Sequence, residues 1–196
     1  MNLRILFTVA FVVATTCSVF AAEDATPSLL PPFGAAGAEF TRDAKDGNKT
    51  KGWLPKDWVD NSEWAAVNAT YTKLNDPPAG ASTAVRIKVE KVDEGQLQVT
   101  SWTKPTFKKD VKYVVTGWIR SAENSGIKIG VRQPGEPYEF YAEEDVTGSA
   151  QWRPFTFQFS LGEDREAFVM FIKQDTGTID LAGLAVRATG KGELKK

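Results

Sequence analysis

Apolar and polar residues alternate in short runs along most of this chain, and turn-forming residues separate the runs. Phe155, Phe157 and Phe159 share one parity, with Thr156 and Gln158 between them. Ile127, Ile129 and Val131 do the same against Lys128, Gly130 and Arg132. Successive side chains of a strand point to opposite faces, so period-two alternation marks a strand with one buried face. The pattern predicts strands near residues 38–41, 65–73, 84–89, 96–102, 112–121, 127–132, 138–141, 152–160, 166–173 and 178–187. Glu123-Asn124-Ser125-Gly126 and Gln133-Pro134-Gly135-Glu136-Pro137 are typical of the turns between them. No long stretch repeats with the helical period. Many short strands at this spacing predict an all-β sandwich or barrel.

Parity also sorts the side chains by face. Residues 166–173 are apolar on both parities, which predicts a central strand covered on both sides. In the other strands the faces opposite the core carry Gln98, Trp102, Thr116, Trp118, Arg120, Lys128 and Arg132. Flat aromatic rings beside long hydrogen-bonding side chains suit a sugar, whose C–H face stacks on indole and whose hydroxyls need donors and acceptors. Trp152 opens a phenylalanine-rich strand and reads as packing. Trp53, Trp58 and Trp64 cluster near Gly52 to Trp58, a segment read as loop from its glycine and Pro55, and there packing and binding are both open.

Composition narrows the chemistry. There is no histidine, which removes the commonest general base and metal ligand. Glu143-Glu144-Asp145 and Glu163-Asp164 supply acids, but as runs that read as solvated turns rather than the paired carboxylates of glycoside hydrolysis. The chain therefore reads as a binding protein and not an enzyme.

Met1 to Ala21 reads as a secretory signal peptide: Arg4, an apolar stretch, then small residues at the cleavage site. Cys17, the only cysteine, lies within it, and Ala14-Thr15-Thr16 does not suit lipid attachment there. Loss of Arg4 leaves 23 basic against 25 acidic side chains, about −2 overall, which attracts neither nucleic acid nor an anionic membrane. The expected organisation is signal peptide 1–21, linker 22–32, one sandwich over 33–188 and a polar tail over 189–196. The expected location is secreted or periplasmic. Asn48-Lys49-Thr50 and Asn68-Ala69-Thr70 are glycosylation sequons, meaningful only on a eukaryotic secretory route.

From Phe33 to Val186 the chain resembles the carbohydrate-binding modules of bacterial cellulases and xylanases, families 4, 9 and 22. The resemblance rests on Gly52-Trp53, Lys112 to Arg120, Gly135-Glu136-Pro137-Tyr138 with Tyr141, Trp152 with Phe155 and Phe157, and Gly177 to Val186. It implies a galactose-binding-like jelly-roll sandwich holding a β-glucan or xylan chain in a cleft on its concave sheet. By position it implies ligand contacts from Trp102, Trp118, Arg120, Gln133, Tyr138 and Tyr141. It also implies a separate glycoside hydrolase as companion. The family's structural calcium is held by acidic residues in the first and last strands. Here Thr41 follows Phe40, and Ala182-Gly183 occupy the last strand, so no calcium or other cofactor is expected, with Asp43 and Asp180 as nearby alternatives. A structural or protein-binding sandwich without a sugar site is the competing expectation.

Overall fold

The computed structural model describes residues 26–191. The expected signal peptide and residues 192–196 of the expected tail lie outside the described residues. Two sheets face one another. The larger has the order β1 (Gly37–Asp43), β2 (Lys49–Pro55), β4 (Ala66–Leu74), β5 (Ala84–Glu94), β14 (Gly177–Lys191), β8 (Val111–Arg120) and β11 (Arg153–Phe159). The smaller has the order β10 (Phe140–Thr147), β9 (Gly126–Arg132), β13 (Phe168–Lys173), β6 (Leu97–Ser101) and β3 (Trp58–Asp60). The short strands β7 (Thr106–Phe107) and β12 (Arg165–Glu166) pair separately. Among the described strands all pairings are antiparallel except β2 with β4, and a single parallel bridge joins Lys109 to Leu161 outside them. The chain passes repeatedly from one sheet to the other, which makes the predicted all-β sandwich.

The core is where parity put it. Phe155, Phe157, Val115, Ile119, Ile87 and Leu181 from the larger sheet meet Ile127, Ile129, Val131, Leu97, Val99, Val169 and Phe171 from the smaller. Burying apolar surface at ~25 cal/mol per Å² is the main favourable term, since this layer is a continuous apolar cluster. β13 is central, as its double parity predicted. Val169 and Phe171 face the core, and Phe168, Met170 and Ile172 form a second apolar row on the opposite face.

Three local readings change. Residues 52–58 are not one loop, because Lys49–Pro55 is a strand, Lys56-Asp57 a tight turn, and Trp58 begins another strand. Gly52 sits at φ 122°, where a Cβ would lie 1.9 Å from the Tyr71 carbonyl oxygen, so the glycine marks a close backbone approach within a strand rather than a break. The acidic run Glu143 to Asp145 lies in β10, an edge strand, where charge opposes pairing with another chain. The end of the expected linker is part of the sandwich: Leu30 and Phe33 are buried in the core, Leu29 N–H donates to the Val186 carbonyl at 2.8 Å, and Phe33 meets Trp58 edge-on at 5.0 Å.

Asp60 fixes the turn after β3. Its buried carboxylate accepts from the Tyr71 hydroxyl and from Ser62 N–H at 2.9 Å. Burial raises this carboxyl above its ordinary range, against the lowering effect of the Tyr71 and Ser62 hydrogen bonds. A carboxyl raised on folding holds its proton more tightly in the folded chain. Its ionisation therefore costs stability at pH above the folded value, and that cost fades as pH falls through the folded value toward the unfolded one. Wild type should gain stability relative to Asp60→Asn between neutrality and about pH 4. Denaturant unfolding across that range checks it, and a difference that does not vary with pH would rule it out.

Candidate functional site

The outer face of the five-stranded sheet bears a cleft of about 640 Å³ lined from four of its strands and from the segment that follows the fifth. Phe140 from β10, Arg132 from β9, Phe168 from β13 and Gln98 from β6 line it, with Asn61 just beyond β3. Trp64 and Trp102 stand at its rim. Among the described residues the large apolar side chains left exposed are Trp102 (54%), Trp64 (48%), Tyr138 and Phe140, and all four line this cleft. Other hollows, such as that along Glu39, Lys51 and Lys73, gather no comparable set. Exposed aromatic surface collected in one concavity marks a binding site.

Local structure explains each wall. Asn61 N–H donates to the Gln98 carbonyl at 2.8 Å, the Asn61 side-chain amide donates to Gln98 Oε1 at 2.9 Å, and Gln98 N–H donates to the Ser62 hydroxyl at 2.8 Å. The buried Asp60 carboxylate thus holds a turn that ties Asn61 to β6. Trp64 is fixed by its indole N–H donating to the Asn61 carbonyl at 3.0 Å. Its ring lies across Gly95, where a Cβ would come within 2.7 Å of it. Trp102 follows β6 and leans edge-on against Phe168 with ring centroids 5.8 Å apart.

At the other end, the β9–β10 pairing slips by one residue between Phe140 and Ala142. This bulge at Tyr141 reverses the parity of β10. Phe140 consequently faces the cleft opposite Arg132, while Tyr141 and Ala142 pack toward the core. Gly130 receives the Phe140 ring, because a Cβ there would lie 2.3 Å from it. Gly130→Ala should displace Phe140 and reshape the cleft floor with little change in the core. The readout is a crystal structure of the variant, and an unmoved Phe140 would contradict the packing argument.

The six residues expected to contact ligand separate into three places. Trp102 and Tyr138 line the cleft. Gln133 and Tyr141 brace the hairpin beside it: Gln133 donates to the Glu136 carbonyl at 2.7 Å, and the Tyr141 hydroxyl lies 3.4 Å from Gln133 Oε1. Trp118 and Arg120 are on the larger sheet, in register with Ala182 and Asp180 of β14, and face away from the core on the opposite side of the sandwich. The polar-face set read from parity is therefore two faces and not one. Arg120 is committed to Asp180 at 2.7 Å and Asp76 at 2.8 Å, and its guanidinium stacks over Trp152 at 4.5 Å. The sequence offers no signal that decides between packing and binding for Trp64, and Phe140 faces the cleft through the bulge.

The carboxylates suggested as calcium alternatives have other partners. Asp180 is held by Arg86 and Arg120, and Asp43 lies 3.5 Å from Lys49. A carboxylate already shared by two guanidiniums is a poor donor for a hard cation. Among the described residues no group of three acidic side chains converges as a metal site.

No family model matches the sequence, and no curated protein matches it. Solved structures do match in fold. A structure of a family 4 carbohydrate-binding module superposes with a TM-score of 0.51 at 14% identity, covering 67% of this chain and 86% of that one. The fold is that of carbohydrate-binding modules. A Bacteroides thetaiotaomicron protein proposed to bind sugar matches with a TM-score of 0.51 at 11% identity over 78% of this chain and 95% of its own. The enzymatically active domain of bacteriophage CBA120 tailspike protein 4 matches at 0.52 and 12% identity over 68% of this chain, which spans only 20% of the tailspike chain. At such identities the likeness is one of architecture.

Proposed function

We propose that this chain is a secreted or periplasmic, non-catalytic module that binds polysaccharide of the β-glucan or xylan class in the cleft between Trp64 and Tyr138. The observation that carries the reading is the gathering of the four exposed aromatic side chains around one groove with the amides of Asn61, Gln96 and Gln98 in its wall. Indole and phenol rings offer stacking surfaces for pyranose rings, and the partly exposed amides of Asn61 and Gln96 offer donors and acceptors to ring hydroxyls, with the buried Gln98 holding Asn61 in place. Among the described residues the lining contains no acidic side chain, so the carboxylate pair that glycoside hydrolysis requires has no counterpart among them at this cleft. A separate hydrolase would supply that chemistry. The fold likeness to carbohydrate-binding modules supports the reading without naming a glycan.

Affinity electrophoresis of the folded protein in gels containing soluble β-glucan or xylan tests the proposal. Retardation by at least one polysaccharide is the expected result. Unretarded migration on every polysaccharide tried, acidic ones included, would leave a structural or protein-binding sandwich as the better account. A parallel titration by tryptophan fluorescence should respond, since Trp64 and Trp102 stand in solvent at the rim.

A further inference from the structure

We infer that the cleft selects sugars bearing a carboxylate, the uronic acids, and that Arg132 is the residue that makes the selection. This rests on the cleft being a glycan site and specifies its ligand. Among the described residues Arg132 is the only charged side chain in the lining. Among the described residues its guanidinium makes no ion pair and no hydrogen bond, and its Nε is buried with no partner. Its one contact of note is with the Tyr138 ring, 5.1 Å from the guanidinium carbon. Other basic side chains nearby are differently placed: Lys128 pairs with Glu143 at 3.1 Å, and Lys104 lies over the Phe168 ring.

Arg132 is half-buried and only its Nε is shut off from water, yet a guanidinium partly withdrawn from water without a counter-ion is costly and is normally paired. Burial acts here to lower the affinity of Arg132 for its proton, as expected for a cation lacking an anionic neighbour. The guanidinium fork matches a planar carboxylate with two parallel N–H donors, which a hydroxyl cannot reproduce. With aromatic rings for the pyranose face and amides for hydroxyls, what the cleft lacks is the negative charge. A hexuronate residue within a polysaccharide supplies it. A purely neutral chain would leave the guanidinium unpaired and further desolvated.

The test compares matched ligands on the full mature protein by calorimetry. Cello-oligosaccharides and their C6-oxidised, carboxylate-bearing counterparts form one pair, and neutral and glucuronic acid-substituted xylo-oligosaccharides form another. The acidic member should bind at least about tenfold more tightly, since tenfold corresponds to ~1.4 kcal/mol. In Arg132→Gln the acidic-to-neutral ratio should fall to about one, and Arg132→Lys should restore only part of it, because it keeps charge without the fork. The wild-type preference should also shrink as salt rises. Equal or tighter binding of neutral chains would overturn the inference while leaving glycan binding standing. Binding to no chain at all would remove both. A sulfated oligosaccharide binding where the carboxylate does not would overturn the uronate assignment, and so would an acidic preference retained by Arg132→Gln.

Discussion

Trp102→Ala should weaken polysaccharide binding by at least tenfold, and Trp64→Ala by a similar amount. Truncating an aromatic hot spot at a binding surface typically costs ~2 kcal/mol or more, which is above tenfold in affinity. Trp102 is over half exposed and rests on Phe168, so its removal takes away stacking surface without opening the core. Trp118→Ala should leave affinity unchanged, because Trp118 lies on the other sheet. Titrations of the three variants against one retained polysaccharide decide between the faces. A loss on Trp118→Ala with none on Trp102→Ala would move the site to the larger sheet.

Asp180→Ala should produce the largest loss of stability. The Asp180 side chain is 3% exposed and sits between two guanidiniums: Arg86 reaches it at 2.8 and 3.0 Å, and Arg120 at 2.7 Å. Removing it leaves two cations facing each other over a vacated space. Unpairing a buried ion costs roughly 3–5 kcal/mol. The lower end applies, because Arg86 and Arg120 keep 46% and 19% of their side-chain surface and water screens part of the repulsion. For a domain of this size a loss of about 3 kcal/mol lowers Tm by roughly 6–12 °C. Asp76→Ala should do far less, since Asp76 is largely exposed and Arg120 would keep Asp180. Calorimetric melting of both variants checks the contrast, and a shift under about 2 °C for Asp180→Ala would show that the guanidiniums are satisfied by water.

The Arg120–Asp180 pair also shows where the sequence stopped being informative. Parity assigns a face but not a sheet. Trp102 and Trp118 have the same outward character, yet one belongs to the sheet that carries the cleft and the other to its opposite. Arg120 looked available because its partner lies 60 residues away in β14. Phe155, Phe157, Ile129 and the doubly apolar β13 were legible because burial leaves a direct mark on residue type. β2 and β10 were not: Gly52 and Pro55 resemble breakers, and Glu143-Glu144-Asp145 resembles a turn. Tyr138, expected among the contacts, lines the cleft, but Phe140 depended on a bulge, which shifts register without any signature that alternation alone can supply.

Because the cleft draws its lining from β10, β9, β13 and β6 and from Asn61 just after β3, its length is set by strand spacing. Four intervals of ~4.8 Å give a track of about 19 Å from β10 to β3. Tyr138 and Phe140 guard one terminus of that track and Trp64 the other, so no monosaccharide can touch both. Affinity should therefore climb with each added sugar unit until the oligomer reaches from end to end, and then level off. If the cleft holds a polysaccharide, short oligomers should compete poorly with an intact strand of it.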